Sequence, residues 1–337
     1  PTGAARCSVG DSFPGSERRP GGKRATPAML PVVSSERRIL VTGATGLVGR
    51  RLLPALRDDG RRIGAVTRSP ERARFGEGVE AVGWDGVSVA PAALAASDAV
   101  VHLAGEPVFG GLLTAARRRR ILESRVDSTR ALVRAFGELP PAERPRTFVC
   151  ASAVGYYGDR GEDLLEEDAD PGRGFLADVC IAWEKAAQPA TQLGVRTVSL
   201  RIGIVLAREG GALSPMATAF RFGLGGRLGS GRQWFPWIHV DDLVGMIRAA
   251  LADERWSGAF NATAPHPVRN AELTRALAAV LRRPAILPVP ALALKLALGE
   301  MAGELLGSRR AVPRHALDLG YRFEFERLED ALALELG

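Results

Sequence analysis

The sequence contains few cysteines and no long apolar run, and each shortage excludes a class of protein. Its 337 residues include three cysteines without metal-ligand spacing, so neither a disulfide framework nor a metal site is expected, and a reducing compartment is favoured. A membrane-spanning helix needs about 18 consecutive apolar residues. The most apolar stretch, PVPALALKLALG at 288–299, is shorter and contains Lys295, so we expect no membrane contact.

The net charge of +7 is concentrated near the beginning of the chain. Residues 1–38 hold seven Lys or Arg and three acids, and the resulting net charge of this segment is more than half of the total. No basic helix with interleaved aromatic residues is present, so nucleic acid is not an expected partner. The run RRRR at 117–120 is interpreted as a solvated helix face.

Residues 1–37 are predicted to form a disordered leader, because they are rich in Gly, Pro, Ser and Arg and lack apolar periodicity. They also lack the apolar core of a secretory signal. We expect a cytoplasmic protein. Two alternatives remain open: the leader is an organelle transit peptide, or it is an upstream extension with Met29 as the working start.

From residue 38 onward, short runs typical of strands alternate with helical stretches. The predicted strands are RRILVTG, RIGAVTR, GVEAVGW, DAVVHLAG, RTFVCASA and VRTVSLRIG, with helices notably over 114–137 and 174–193. This alternation predicts an α/β fold, a doubly wound parallel Rossmann sheet with helices on both faces. We expect an NADP-binding domain over 38–205 and a smaller C-terminal α+β substrate lobe over 206–337. The chain is expected to cross back into the first domain near 235–262.

The strongest motif is VTGATGLVGRRLL, a glycine triplet at a strand-to-helix turn. Gly43 permits the tight turn, Gly46 lets the backbone approach a pyrophosphate, and Gly49 lets the helix pack on the strand. The free N–H groups of the helix favour an anion at the same place. The residues expected to line the cofactor here are Gly43, Thr45, Gly46, Leu47 and Val48.

The end of the second strand indicates which cofactor is bound. An NAD enzyme places Asp or Glu there for the adenosine ribose, whereas this chain has Thr67 and Arg68. A guanidinium can bind a 2′-phosphate, so NADP(H) is preferred; a solvent-facing arginine is the alternative. Asp85, after the third strand, faces either the adenine or only its own turn.

Several motifs together resemble a known family. TGATGLVG, DAVVHLAGEP, ASAVGYYGD and FPWIHVDDLV, in this order, are similar to the extended short-chain dehydrogenase/reductases. SRVDSTRALV, CIAWEKAA, LAREGGALSPM and GEMAGELLGSRRAVPRHALDLGYRFEF resemble a divergent epimerase-like subgroup, whose members are called nucleoside-diphosphate-sugar epimerase-like or sometimes cell-division inhibitor. The resemblance covers about residues 38–335. It implies a Rossmann fold that binds NADP(H) and, as often in the superfamily, a homodimer.

The resemblance also assigns residues to the nicotinamide end of the cofactor. Leu103, Ala104 and Gly105 end the fourth strand, where the backbone lies against the nicotinamide ribose and adenine. Arg125 stands where extended members often carry an asparagine that organises active-site water; a surface ion pair is the alternative. His102 is interpreted as a packed strand-end histidine.

The proton-transferring pair of the superfamily, a Tyr followed four residues later by a Lys, is absent from LADVCIAWEKA at 176–186. One register places Asp178 and Ala182 at these positions, the other Cys180 and Glu184, and Lys185 is a partial substitute at most. The remaining candidates for the catalytic role are Ser152, Tyr156 and Tyr157. The alternatives are a serine satisfied by backbone and tyrosines that only shape the pocket.

RLGSGRQWFPWIHVDDL combines arginine with aromatic residues, which suits an anionic ligand carrying a flat ring. Arg232, Trp234 and Trp237 are therefore the expected substrate-binding residues, for a small-molecule substrate. Two functions remain open. The first is an NADP(H)-dependent oxidoreductase or epimerase of a small polar or nucleotide-linked carbonyl or hydroxyl compound. The second is a non-catalytic NADP(H)-binding sensor or interaction protein.

Overall fold

The computed structural model describes residues 38–86, 89–95, 97–109, 111–285 and 288–337. The leader predicted over residues 1–37 lies outside these ranges. All described residues belong to one compact unit, and the division at residue 205 into two lobes stays a prediction. In the part of the chain that the structure describes, no helix has the length and apolarity needed to cross a membrane.

All six predicted strands form, together with shorter ones in the C-terminal half. The strands are β1 (Arg38–Thr42), β2 (Ile63–Thr67), β3 (Val79–Gly83), β4 (Ser97–His102), β5 (Thr147–Ala153), β6 (Leu164–Leu165), β7 (Arg196–Ile202), β8 (Ile204–Ala207), β9 (Gly210–Gly211), β10 (Trp234–Phe235), β11 (Trp237–His239), β12 (Gly258–Ala262), β13 (Val268–Arg269) and β14 (Arg310–Ala311).

The helices alternate with the strands of the first half and dominate the second. They are α1 (Leu47–Asp58), α2 (Pro91–Ala95), α3 (Ala115–Glu138), α4 (Phe175–Ala187), α5 (Pro189–Gln192), α6 (Leu213–Arg221), α7 (Val240–Ala252), α8 (Asn270–Leu281), α9 (Ala291–Leu298), α10 (Met301–Leu306), α11 (Arg314–Asp318) and α12 (Leu328–Leu336). Two 3-10 turns occupy Pro141–Glu143 and Val154–Tyr157.

The central sheet has seven strands in the order β3-β2-β1-β4-β5-β7-β12, and every neighbouring pair is parallel. The order reverses between β1 and β4, which is the switch point where such sheets bind ligands. The predicted doubly wound Rossmann fold is therefore confirmed. Strand β12 returns from the C-terminal half of the chain to extend the sheet beside β7.

Apolar layers cover both faces of the sheet. On one face Leu52 of α1 and Ile247 of α7 are fully buried with the strand residues, and on the other Phe136 of α3 and Trp183 of α4 are buried. A third cluster, including Leu277 of α8, lies beneath the C-terminal segments. These layers leave the carboxyl ends of the parallel strands as the edge where functional side chains can gather.

Two local predictions are corrected by the structure. The helix expected over 174–193 is divided, because Pro189 lacks an N–H and begins the separate turn α5. The arginine run is only partly solvated: Arg117 donates to the carbonyls of Pro107 and Val108, and Arg118 to that of Leu113. The first two arginines of the run therefore hold the loop that precedes α3, and only Arg119 and Arg120 are exposed.

Candidate active site

The glycine turn between β1 and α1 is closed against neighbouring backbone. Gly43 has φ +67°, and a Cβ there would lie 2.7 Å from the carbonyl carbon of Leu103. A Cβ at Gly49 would lie 2.4 Å from the carbonyl oxygen of Gly43. Neither backbone neighbour can move aside cheaply, so both positions require glycine.

The first turn of α1 offers unsatisfied N–H groups. Its N-cap is Gly46, no side chain caps it, and no acidic residue lies in the first turn. Thr45 and Gly46 are exposed, while Leu47 and Val48 are half-buried. A helix N-terminus with free amides and no competing carboxylate fits the pyrophosphate of a dinucleotide.

The end of β4 is held beside this turn by a buried hydrogen-bond network. The backbone N–H groups of Leu103 and Ala104 each donate to Thr42 Oγ1 over 3.2 Å. The Thr42 hydroxyl and Nδ1 of His102 share a hydrogen bond of 2.7 Å, and Nε2 contacts Ser128 Oγ at 3.0 Å. Burial, aided by Arg125, lowers the pKa of His102 to about 3. His102 is therefore a neutral packing residue, as interpreted from the sequence, and it fixes the segment Leu103–Ala104–Gly105.

The residues predicted to bind the adenosine end of the cofactor lie at β2 and β3. Arg68 is exposed directly after β2, and within the described residues it makes neither an ion pair nor a hydrogen bond. Asp85 is exposed just after β3. The backbone N–H of Trp84 donates to the carbonyl of Thr67 over 2.9 Å. Since Arg68 follows Thr67 and Asp85 follows Trp84, the two predicted residues lie at one corner of the sheet.

Ser152 belongs to a buried ion-pair network at the ends of β5 and β7. Its hydroxyl donates to Glu184 Oε1 over 2.6 Å, and Arg201 donates to both Glu184 oxygens over 2.9 and 3.0 Å. Ser152 is 3% exposed and Arg201 is 4% exposed. The serine hydroxyl therefore already has an anionic partner, which α4 supplies. The catalytic role of Ser152 stays a prediction.

The two neighbouring tyrosines differ in their surroundings. Tyr157 is fully buried, donates to Asn261 Oδ1 over 2.7 Å and accepts from Arg201 over 2.9 Å. Burial raises the pKa of Tyr157 to about 12. Tyr156 is half-buried, and the Arg201 guanidinium lies 3.6 Å from its ring centroid. Of the two phenols, Tyr156 is the one with access to the surface.

Helix α4 presents no tyrosine or lysine to the strand ends. Cys180 and Glu184 face them: Cys180 Sγ lies 3.5 Å from a Cβ placed at Gly155, and Glu184 binds Ser152. Lys185 is exposed and lines a shallow hollow between α3 and α4 with Arg130 and Ala182. Lys185 therefore does not replace the missing cation.

Arg125 lies on α3 beside the end of β4. A Cβ placed at Gly105 would lie 3.1 Å from its guanidinium carbon, which is also 5.1 Å from the ring centroid of Trp183. One N–H donates to the carbonyl of Ile121 over 3.1 Å. Burial lowers the pKa of Arg125. The alternative of a surface ion pair is excluded for the described residues, since the salt bridges among them do not include Arg125.

The substrate-binding candidates separate into surface and core. Trp234 is half-buried, with the guanidinium of Arg269 4.3 Å and that of Arg310 4.8 Å from its ring centroid. Arg232 is exposed nearby, and its carbonyl accepts from Arg269. Trp237 is fully buried in the C-terminal core and donates to the carbonyl of His266 over 3.3 Å. Trp237 therefore offers no surface to a ligand in this structure.

Comparison with known proteins agrees with this geometry. Residues 39–262 match the model of the NAD-dependent epimerase/dehydratase family, and residues 289–334 match DUF1731, a domain of unknown function. The chain belongs to the NAD-dependent epimerase/dehydratase family. This confirms the predicted assignment of the chain to the extended, epimerase-like short-chain dehydrogenase/reductases, and with it the dinucleotide-binding fold.

Individual relatives of this family match nearly the whole chain. The Arabidopsis thaliana epimerase family protein SDR39U1 homolog, chloroplastic, is 40% identical over 95% of this chain and 92% of its own length. The crystal structure of human SDR39U1 with NADPH superimposes with a TM-score of 0.78 at 33% identity, covering 89% of this chain and 99% of that one. A nucleoside-diphosphate sugar epimerase from Corynebacterium glutamicum gives 0.73 at 35% identity, over 90% of this chain and 59% of its own.

Several residues of this site escaped the sequence analysis. Arg201 had one available signal, a charged residue inside the apolar strand VRTVSLRIG, which needs a buried partner. Glu184 was considered only as the occupant of a lysine position. Asn261 had no local signal, because the strand that carries it joins the sheet from a distant part of the sequence.

Proposed function

We propose that this chain is an NADP(H)-dependent oxidoreductase or epimerase-like enzyme of a small polar or nucleotide-linked carbonyl or hydroxyl compound. The observation that carries the proposal is the glycine turn at the β1/β4 switch point, beside the uncapped N-terminus of α1. The human relative was crystallised with NADPH, and membership of the family supports a nicotinamide cofactor.

The cofactor-binding residues form a continuous path along the sheet edge. The free amides of Leu47 and Val48 bind the pyrophosphate, and Gly43, Thr45 and Gly46 line it with the turn that precedes them, in which the Gly46 amide donates to the Gly43 carbonyl. Arg68 binds the 2′-phosphate and Asp85 lies by the adenine, while Leu103, Ala104 and Gly105 lie along the nicotinamide ribose. The nicotinamide, when bound, supplies or accepts the hydride.

Tyr156 is the proton donor in this proposal. Burial raises the pKa of Tyr156, although Arg201 opposes the rise, so the phenol is protonated at neutral pH and can donate. Arg201 is held against the ring by Glu184, and Ser152 and Tyr157 complete that network. Ser152 and Tyr157 therefore act by positioning Arg201.

The substrate lies against Trp234 in this proposal, with Arg232 at its edge. Arg310 stacks on the indole, and its Nε atom is buried without a hydrogen-bond partner. Arg269 is already paired with Glu162 over 2.8 Å. Arg310 and Arg232 are therefore the cations available to an anionic ligand with a flat ring.

The alternative function is a non-catalytic NADP(H)-binding sensor. It is favoured by α4, which carries Cys180 and Glu184 toward the strand ends instead of a tyrosine and a lysine. Burial, together with Glu184, raises the pKa of Cys180 to about 12, so its thiol is not a base at neutral pH.

One experiment separates the two functions. NADPH and NADH binding are measured by fluorescence, and stereospecifically deuterated NADPH is then incubated with a panel of carbonyl substrates. An enzyme transfers deuterium to product, and Tyr156→Phe lowers this transfer by about 100-fold, the usual contribution of general acid catalysis. Tight NADPH binding without transfer favours the sensor, and failure to bind either nucleotide contradicts both functions.

The proposal also covers compartment and assembly. We place the protein in the cytoplasm, with an organelle as the alternative because the Arabidopsis relative is named chloroplastic. We propose a homodimer formed through α3 and α4, whose outer faces border the hollow lined by Arg130, Lys185 and Pro189. Neither nucleic acid nor a membrane is a partner in this proposal.

A further inference from the structure

Arg125 is a partly buried cation whose hydrogen-bonding capacity is largely unused. A guanidinium carries five N–H donors, and among the described residues Arg125 spends one of them, on its own helix at Ile121. Glu106 acts to raise the pKa of Arg125, yet the two form no ion pair within 4 Å. Partly buried charges normally have a paired partner, so Arg125 points to an anion supplied by a ligand.

The surroundings of Arg125 lie at the ligand-binding edge of the sheet. The guanidinium lies beside Gly105 and over the ring of Trp183. Cys180 is close enough for Arg125 to oppose the rise of the thiol pKa that burial and Glu184 cause. The thiol is neutral, so it adds no competing negative charge.

The C-terminal part of the chain carries a second arginine to the loop after the two tyrosines, since the N–H of the adjacent Ser308 donates to Asp159 Oδ1 over 3.0 Å. Arg309 also acts on Cys180 to lower the thiol pKa. Its side chain is 11% exposed and pairs with Glu304 of α10 over 2.6 Å, and its Nε atom is buried without a hydrogen-bond partner. Arg118 of α3 pairs with Glu300, which fixes the beginning of α10 beside α3.

We propose that Arg125 and Arg309 bind an anionic group of the substrate, a carboxylate or a phosphate, beside Cys180, while Glu304 holds the Arg309 side chain in place. This inference rests on the proposed function, since the bound group would lie next to Gly105 and the expected nicotinamide ribose. It differs from the cofactor-binding role predicted for Arg125, because the cofactor phosphates are assigned to α1 and Arg68. In this proposal the anionic group of the substrate lies close to the substrate carbon that would exchange hydride with the nicotinamide.

The test uses the full-length chain saturated with NADPH. Oxalate and inorganic phosphate, as probes of the two anion chemistries, are titrated into the complex and followed by calorimetry. We expect one probe to bind, and Arg125→Gln and Arg309→Gln to weaken it by about tenfold or more, the usual loss for hydrogen bonds between charged groups. The matched control is Arg119→Gln, an exposed arginine on the same helix, which binds the probe like the wild type.

NADPH affinity is measured first for every variant, so the two proposals fail separately. A wild type that does not bind NADPH contradicts the proposed function. The anion site alone is overturned if the protein binds NADPH normally but binds neither probe. It is also overturned if both arginine variants bind the probe as tightly as the wild type does. Weakened NADPH binding in Arg125→Gln with unchanged probe affinity also overturns it, because Arg125 then serves the cofactor. If circular dichroism shows Arg125→Gln unfolded, Arg309→Gln and the charge-retaining Arg125→Lys decide.

Discussion

The two halves of the sheet edge consist of different chemical groups. Around β1 and β4 the candidate cofactor site consists of backbone: glycines in close contact, free amides and a neutral buried histidine. Around β5 and β7 the edge consists of charged and phenolic side chains that bind one another, with Arg201 at their centre. The first half has the features of a dinucleotide site, whereas the second has exchanged the usual Tyr–Lys pair for an internal ion-pair network.

This difference predicts where substitutions will be most damaging. The cofactor half depends on close packing of main chain, so added atoms should disrupt it. The other half depends on compensated charge, so removal of one partner should disrupt it.

The largest effect is expected from Gly43→Ala. The new Cβ would meet the Leu103 backbone at 2.7 Å with φ at +67°, so we expect a loss of about 4 kcal/mol in unfolding free energy and of NADPH binding. Gly60→Ala is the control, since its φ is +73° and nothing lies within 4 Å of its Cβ; it should cost about 1 kcal/mol. Equal losses in urea unfolding would show that backbone conformation alone, and not the close approach, matters at Gly43.

Glu184→Ala should have the next largest effect. It leaves Arg201, 5% exposed in its side chain, without its carboxylate. We expect a cost of about 3 kcal/mol, the lower end for a buried pair broken from one side, because Glu184 is 17% exposed. Asp318→Ala breaks the Arg314–Asp318 pair, in which both side chains are more than half exposed, and should cost less than about 1 kcal/mol. If urea unfolding gave similar losses for both, the network would not be the buried anchor inferred for this half.

The comparison also shows what the sequence could and could not predict. The backbone of the cofactor half was predicted, because a glycine triplet after a strand and a strand-end HLAG are local patterns with local causes; which of its residues contact a cofactor stays a prediction. For the other half the sequence indicated Ser152, Tyr156 and Tyr157 and the missing Tyr–Lys pair, but not the network that joins these residues. The partners of Arg201 come from α4, β12 and the turn after β5, and no local pattern announces contacts between such distant segments. Trp237 illustrates the same limit, since an aromatic residue beside arginines suits a ligand or a core equally well.

Alkaline pH should destabilise the ion-pair half through Tyr157, in addition to the loss caused by Tyr321, whose pKa is also raised by burial. Burial raises the pKa of Tyr157 from 10.0 to about 12, so the folded protein retains this proton where the unfolded chain has lost it. The stabilisation is therefore complete below pH 10 and is lost as pH rises toward 12, by about 2–3 kcal/mol. Tyr157→Phe should be less stable at neutral pH, through the lost hydrogen bonds, but show a shallower decline above pH 10. Urea unfolding from pH 8 to pH 12 measures this, and parallel declines would mean that Tyr157 does not titrate in this range.

The smallest effect is expected at the far corner of the cofactor half, from Arg68→Ala. Arg68 is exposed and free of protein partners among the described residues, so its removal should leave the stability of the protein unchanged. It should weaken NADPH about tenfold to a hundredfold, since hydrogen bonds to a charged phosphate contribute about 1.5–3 kcal/mol, and leave NADH unchanged. Arg72→Ala is the matched control, because that side chain is 85% exposed on the same loop. Fluorescence titrations with both nucleotides give the ratio of their dissociation constants. Equal weakening of NADPH and NADH binding would place Arg68 on a part of the cofactor that both share. The preference for NADPH would then need another source.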